Sequence, residues 1–323
     1  MDDLVTRFPT LQLVCPDCAA DLQVVAAADL QCSGCGTLWP AVDGLPWLSR
    51  RQNHYHADIP QPAMRAMVEG ANPASLRRRF AAMLRDLPAD RAWFISENAF
   101  SSARAAAELL LPLDPQSRVL DLGCGWGNLS VAAGHAAGQV VAMDLAPLRA
   151  RFTQLALRSQ GLDRALVLGG GDGRHLPFAD SSFDAVILNG VLEWVGEPAD
   201  LPESPDARLA AYLLEVHRVL RPGGRVLIGI ENRFSAKYAL GMPEEHVNQR
   251  YVSLLPRWLA DRYLRRAQGR PYRIRTYSHW GIAQRLRAAG FTAVERHLPL
   301  PDYRSPGRIA LHGSHLALRD SLV

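Results

Sequence analysis

Four of the chain's five cysteines form two Cys-x-x-Cys pairs, Cys15-Pro-Asp-Cys18 and Cys32-Ser-Gly-Cys35, with thirteen residues between them. Without an export signal, that spacing favours a metal over disulfides. Two such turns present four thiolates, enough to fill the tetrahedral shell of a structural Zn2+ ion and leave no position open for water. The other readings of these residues are reduced thiols without metal and a redox pair. Cys124 stands apart in a glycine-rich run, with no His or carboxylate nearby in sequence to activate it, and reads as a small apolar packing group.

A second concentration of chemistry is Asp121-Leu-Gly123-Cys-Gly125-Trp-Gly127-Asn128, which follows a short apolar strand and opens a helix over 129–137. Glycines there let the backbone approach a ligand closely, and the helix N-terminus favours negative charge. The dinucleotide fingerprint needs a sixth-position glycine where Asn128 stands, so the pattern is GxGxG with an acid two positions ahead. Asp144 ends the next apolar strand, about twenty residues after the glycines, a spacing at which an acid accepts hydrogen bonds from both ribose hydroxyls. Farther on, His246 closes the run Pro243-Glu244-Glu245-His246. An imidazole with a near-neutral pKa suits deprotonation of a hydroxyl, which makes His246 the first candidate for a general base; Glu193, Glu231 and Tyr277 follow. The competing reading of His246 is a surface or capping residue in an acidic loop.

Positioning these groups takes a strand–helix rhythm. Apolar strands over 118–122, 140–144, 165–168, 183–188 and 226–230, with a helix over 206–220, predict a doubly wound α/β sheet. Residues 63–87 and 96–111 carry apolar positions at helical spacing and predict a collar of helices, reached through a polar linker over 50–62 that holds His54, Tyr55 and His56. After the fifth strand come about 45 residues before a helix beginning at Ser278, a long connection of the kind that selects substrates. Residues 250–275 carry eight arginines with Tyr251, Trp258, Tyr263 and Tyr272 interleaved. They read either as a platform for a phosphate-bearing ligand or as a helix with a solvated arginine face.

Composition sets the outer bounds. The 323 residues are 48% apolar and 21% charged, which excludes disorder and fibrous architectures. A formal charge of +4 over that length does not demand nucleic acid, and only Lys237 among the 36 basic residues is a lysine. The acidic start and the lack of an apolar run of about 20 residues predict a soluble cytoplasmic protein with no membrane span.

Three resemblances add to this. The run from Cys32 to Pro46, with Gly36, the Trp39-Pro40 pair and an Asp43-Gly44-Leu45-Pro46 turn, resembles zinc ribbons related to the small activator subunit of tRNA and release-factor methyltransferases. The ordered set over about residues 100–230 resembles the class I S-adenosylmethionine-dependent methyltransferases, whose fold is a seven-stranded sheet with helices on both faces. That resemblance implies a turn of Gly123, Gly125 and Gly127 under the methionine part of the cofactor, with Asp121 orienting its amino group. It further implies Asp144 on the ribose, Asp172 and the Gly173 amide at the adenine edge, and the Asn189 backbone at the amino-acid portion. Over about residues 230–303, the series Ile230-Glu231-Asn232-Arg233, Pro243 to His246, Arg275-Thr276-Tyr277-Ser278 and Pro299-Leu-Pro301-Asp302-Tyr303 is similar to methyltransferase domains of bacterial polysaccharide assembly. The run Asn189-Gly190-Val191-Leu192-Glu193-Trp194 lacks the Asn/Asp-Pro-Pro-aromatic motif common in amide and base methylation, which disfavours those acceptors.

The expected chain is therefore a zinc ribbon (1–50), a linker and helical collar (51–112), and a Rossmann-like methyltransferase core (113–323) with a cap inserted at about 231–277. The expected reaction is methylation of a hydroxyl on a saccharide or small biosynthetic intermediate. The alternatives are an rRNA or tRNA methyltransferase, N-methylation of a natural-product intermediate, and a non-catalytic scaffold. Oligomeric state is not legible.

Overall fold

The computed structural model describes residues 11–26, 28–51, 59–172, 175–198 and 202–311; the linker residues His54, Tyr55 and His56, and Gly173, lie outside the described residues. The chain divides into two compact units, the first within Met1–Leu188, Arg218–Leu227 and Pro299–Ile309, the second within Asn189–His217, Ile228–Leu298 and Ala310–Val323.

The first unit begins with a small antiparallel sheet, β1 (Leu22–Ala26), β2 (Asp29–Cys32) and β3 (Leu38–Trp39), followed by the two-residue β4 (Trp47–Leu48). Four helices come next: α1 (Gln61–Val68), α2 (Leu76–Leu84), α3 (Ala89–Phe100) and the short α4 (Ser102–Ala105). The main sheet is then laid down by β5 (Arg118–Leu122), β6 (Gln139–Asp144), β7 (Leu166–Gly170), β8 (Phe183–Asn189) and β9 (Leu220–Gly229), with α5 (Asn128–Ala136) and α6 (Pro147–Ser159) between strands. Buried, uninterrupted runs such as Val140-Val141-Ala142-Met143 are what a sheet covered on both faces requires.

The order of this sheet is β4-β7-β6-β5-β8-β9, six strands where seven are expected. Five come from the core and the sixth, β4, from the N-terminal segment, running parallel to β7 with Trp47 opposite Gly169. The last two strands, β12 (His297–Leu300) and β13 (Arg308–Leu311), pair only with each other. Pro299 removes a backbone donor from β12 and its side chains alternate between half-buried and exposed, a pattern unsuited to a sheet interior.

The N-terminal sheet is tied to the core through backbone. The Gly169 N–H donates to Pro46 O at 2.8 Å, Val14 N–H to Pro177 O at 3.1 Å, and Ala179 N–H to Gln12 O at 3.2 Å. Leu45 packs with Cys124, Ala142, Ala150, Leu157 and Val167. The collar helices pack Met64, Met67, Leu76, Phe80 and Ile95 against Trp126, Leu148 and Phe152. Phe80 meets Trp126 edge-on at 5.6 Å, and Trp126 meets Phe152 edge-on at 5.0 Å. The Arg79 guanidinium satisfies three carbonyls at the C-terminal end of α1, donating to Ala66 O, Met67 O and Glu69 O.

The second unit holds α7 (Pro205–Val219), α8 (Ala236–Ala239), the hairpin β10 (Pro243–Glu244) and β11 (Gln249–Arg250), α9 (Arg257–Gln268) and α10 (His279–Ala288). Its apolar cluster is Val247, Val252, Ala260, Leu264, Tyr272 and Ile274. Several arginines of 250–275 are engaged inside it: Arg273 donates to Gly196 O and Glu203 O, Arg257 to Thr276 O, and Arg265 pairs with Asp261. No helix among the described residues is long and apolar enough to cross a membrane.

The β4–β7 edge makes a sharp prediction. A Cβ built on Gly169 would lie 1.9 Å from the Trp47 ring, so Gly169→Ala forces either the strand or the indole to move. The expected cost is about 1–3 kcal/mol of unfolding free energy, read from urea midpoints. An unchanged midpoint would mean that the edge strand does not seat on β7.

Candidate functional site

In the first unit, β5 delivers Asp121 and runs into a turn whose glycines adopt left-handed conformations: Gly123 at φ +81°, Gly125 at +54° and Gly127 at +75°. The amides of Gly123 and Cys124 both donate to Met143 O, at 2.8 and 2.9 Å, so the turn is tied to the end of β6. A Cβ on Gly127 would come within 2.9 Å of Thr153, whose hydroxyl in turn donates to Gly125 O at 3.1 Å.

The two carboxyl groups nearest the turn are buried. Asp121 Oδ2 accepts from the Ser130 hydroxyl at 2.5 Å, and burial pushes its pKa up to about 6 against the lowering influence of that bond. Asp144 accepts Gly125 N–H on one oxygen and Ala146 N–H on the other, each at 2.8 Å; burial again raises its pKa, opposed by Arg149. Each Asp144 oxygen retains a second lone pair for a ligand. Asp172 lies beyond β7, and its Oδ2 accepts from the Ser49 hydroxyl at 3.0 Å. Burial pushes the Cys124 thiol well up, consistent with a packing role.

The four sulfurs of Cys15, Cys18, Cys32 and Cys35 lie within 4.8 Å of one another. Cys18 and Cys32 are 3.4 Å apart and Cys15 and Cys35 3.8 Å, against the S···S distance of about 3.8 Å that tetrahedral Zn–S bonds impose. Cys32 Sγ also accepts the amides of Gly34 and Cys35.

In the second unit, Asn189 ends β8 with its side-chain Nδ2 buried and without a hydrogen-bond partner. Three of the four residues considered for proton transfer come together here: one ligand atom each of Glu193, Glu231 and His246 lies within 4.8 Å of the others. Glu193 and Glu231 are 1% and 4% exposed. His246 Nδ1 contacts Glu244 Oε1 at 2.5 Å, while the other Glu244 oxygen accepts the amides of His246 and Val247. His246 Nε2 is 3.9 Å from Glu193 Oε1, and Trp194 meets the imidazole edge-on at 5.0 Å. Burial alone would lower the His246 pKa, but the carboxyl groups of Glu193, Glu244 and Glu231 outweigh it and raise it to about 10. The imidazole therefore holds a proton at neutral pH, whereas the sequence reading pictured it near its titration point.

The hydroxyl of Tyr277, the fourth candidate, is engaged with a different carboxylate. Its hydroxyl donates to Asp206 Oδ1 at 3.1 Å, and burial together with Asp206 pushes its pKa up to about 12. Arg257 and Arg285 lie over its ring.

Sequence reasoning missed Ser130, Ser49 and the orienting role of Glu244. Ser130 was within reach, nine residues after Asp121 on the helix that the turn opens. Glu244 stands in the acidic run already singled out, but only its complete burial separates it from Glu245. Ser49 has no sequence signal at all, being 123 residues from its partner.

Residues 120–228 match the family model of a methyltransferase domain. Among curated proteins, an uncharacterised methyltransferase, YodH, of Bacillus subtilis is 32% identical over 117 residues, 36% of this chain and 44% of that protein. The ubiquinone biosynthesis O-methyltransferase of Xanthomonas oryzae is 33% identical over 148 residues, 44% of this chain and 53% of that protein. The chain thus spans about half the length of these relatives. A solved structure of an S-adenosylmethionine-dependent methyltransferase from Methanosarcina mazei is 20% identical, covering 62% of this chain and 90% of that one with a TM-score of 0.43.

The buried Asp121 carboxyl generates a pH prediction. Its pKa of about 6 lies above the value of about 3.9 for an unfolded aspartate, so its contribution to stability is complete below about pH 4 and is lost as the pH rises through 6. For the ligand-free protein, the difference in unfolding free energy between wild type and Asp121→Asn should change by about 2.4 kcal/mol between pH 4 and 7.5. A pH-independent difference would mean that the carboxyl is not perturbed.

Proposed function

We propose that this chain uses S-adenosylmethionine to methylate a hydroxyl of a small biosynthetic molecule, a saccharide or comparable intermediate. The observation that carries the reading is the left-handed glycine turn between β5 and α5, with Asp144 hydrogen-bonded to it, inside the segment that matches a methyltransferase domain. These residues fit the cofactor. The glycines leave room for the methionine portion beside the turn, and Asp121 lies at its base. Asp144 would hold the ribose, and Asp172, steadied by Ser49, the adenine edge. The unpartnered Asn189 amide is a further donor suited to a ligand.

The bound cofactor supplies a methyl group already activated on a sulfonium. The protein's part is alignment of the acceptor and removal of one proton. With His246 protonated at neutral pH, the imidazole is not the atom that receives this proton, and a carboxylate oxygen or water takes that part. The name of the Xanthomonas relative, an O-methyltransferase, and the absence of the Asn/Asp-Pro-Pro-aromatic run both favour oxygen over nitrogen as acceptor. Of the arginines in 250–275, Arg257 and Arg273 are engaged with backbone carbonyls, which leaves fewer of them for the phosphates of the nucleic-acid alternative. The four cysteine sulfurs fit a structural Zn2+ ion that stabilises the N-terminal sheet and contributes no chemistry.

Two measurements test these assignments. Calorimetric titration with S-adenosylhomocysteine should show binding, weakened about 10- to 100-fold by Asp144→Ala, the usual worth of a hydrogen bond to a charged group; absence of binding, or equal affinity in the variant, would overturn the cofactor assignment. Metal analysis should find about one zinc per chain, lost in Cys32→Ser together with thermal stability. A zinc-free chain that melts like the variant would remove the metal from the fold.

A further inference from the structure

The second unit holds a group of side chains that acid–base chemistry alone does not account for. Glu193 and Glu231 are buried carboxylic acids, 1% and 4% exposed, and the His246 imidazole beside them is 6% exposed. Glu193 Oε2 makes no hydrogen bond and Glu193 Oε1 is 3.9 Å from the imidazole Nε2, beyond hydrogen-bonding distance. The imidazole is thus an ion-pair neighbour of Oε1 alone, and a buried carboxyl oxygen without a donor, as Oε2 is, carries a desolvation cost. Glu244, fully buried, accepts from His246 Nδ1 with one oxygen and from two backbone amides with the other. A carboxylate that fixes one imidazole nitrogen in this way aims the second at a metal.

We infer that Glu193, Glu231 and His246 Nε2 form a binding site for one divalent cation of the Mn2+ and Mg2+ class, with Glu244 as the residue that orients the imidazole. The three donor atoms lie within 4.8 Å of one another. Octahedral ions of this size hold neighbouring ligands about 3 Å apart and opposite ligands about 4 Å apart, so rotation of the two Glu side chains brings all three donors into one shell. Carboxylate-rich donor sets select Mg2+ and Mn2+ over metals that prefer thiolate, and the single imidazole favours Mn2+ of the two. The site is distinct in donor chemistry from the four-cysteine cluster. Three protein ligands leave coordination positions for oxygen donors, water or an alcohol.

The test is titration of the full-length, zinc-loaded chain with Mn2+ at pH 7, followed by electron paramagnetic resonance of the free ion. The expected result is about one bound Mn2+ per chain, and a loss of affinity of at least about tenfold in both Glu193→Gln and His246→Gln. Glu245→Gln, adjacent in sequence but paired with Lys237, should bind as wild type does. No binding by the wild-type chain at about 1 mM Mn2+ overturns the site, as does binding that survives both substitutions. The wild-type titration is decisive even if a variant fails to fold. S-adenosylhomocysteine binding is measured on the same sample. Cofactor binding without Mn2+ binding sinks the cation site alone, whereas Mn2+ binding without cofactor binding upholds it and sinks the methyl-transfer reading.

Discussion

A single carbonyl fixes the geometry on which the first unit depends. Met143 O receives the amides of both Gly123 and Cys124, which pins the start of the glycine turn to the end of the neighbouring strand. The chain can turn so tightly only because residues 123, 125 and 127 tolerate positive φ, and the intervening side chains are then thrown in fixed directions. Trp126 goes into the aromatic cluster with Phe80 and Phe152, which seats the collar helices. Cys124 goes into the cluster that contains Leu45, Ala142 and Val167, which seats the N-terminal segment. Asp144 closes the arrangement by accepting the Gly125 amide. The same few residues that would face a cofactor are thereby the junction at which helices and N-terminal segment meet the sheet.

The sheet's far edge follows a different rule. An edge strand ending Leu-Gly-Gly, with Gly169 and Gly170 lacking side chains, would be a poor and exposed terminus of a parallel sheet. It becomes sensible once β4 lies on it, because the indole of Trp47 occupies the space over Gly169 and Leu48 O stands 2.7 Å from where a Gly170 Cβ would be. Ser49, the next residue, reaches Asp172. A segment near the four-cysteine cluster is thus built into the sheet that carries the candidate adenine-reading acid, and the two are stabilised together.

Much of this was legible in sequence, and for a physical reason. Strands buried on both faces must be uninterrupted apolar runs, so β5, β6 and β8 stand out whatever surrounds them. Helix α5 announces itself by the glycine turn that precedes it. What could not be read depends on partners far away. A two-residue strand has no periodicity, and β4 exists only because β7 is there to pair with it. The seven strands that the family resemblance implies are six among the described residues, since β12, with Pro299 and a half-exposed pattern, pairs with β13. The cysteine spacing was informative in itself, since four sulfurs at two short turns converge almost wherever the intervening strands run.

The group around His246 shows where residue types stop being informative. From the sequence, an imidazole next to two acids looks like a base poised near neutrality. Folding changes its chemistry, because Glu244 and Glu193 are carried out of water along with it, and in a medium of low polarity their attraction for the proton outweighs the cost of burying the charge. The imidazole becomes a cation that a base cannot be. Glu193 meets that cation only through Oε1, at 3.9 Å, while its Oε2 has no donor, and apolar side chains would have filled that interior at lower cost. Natural cores violate their own packing rules mainly where something other than stability is selected, so the unpaired acid is better explained by what it binds than by what it holds together.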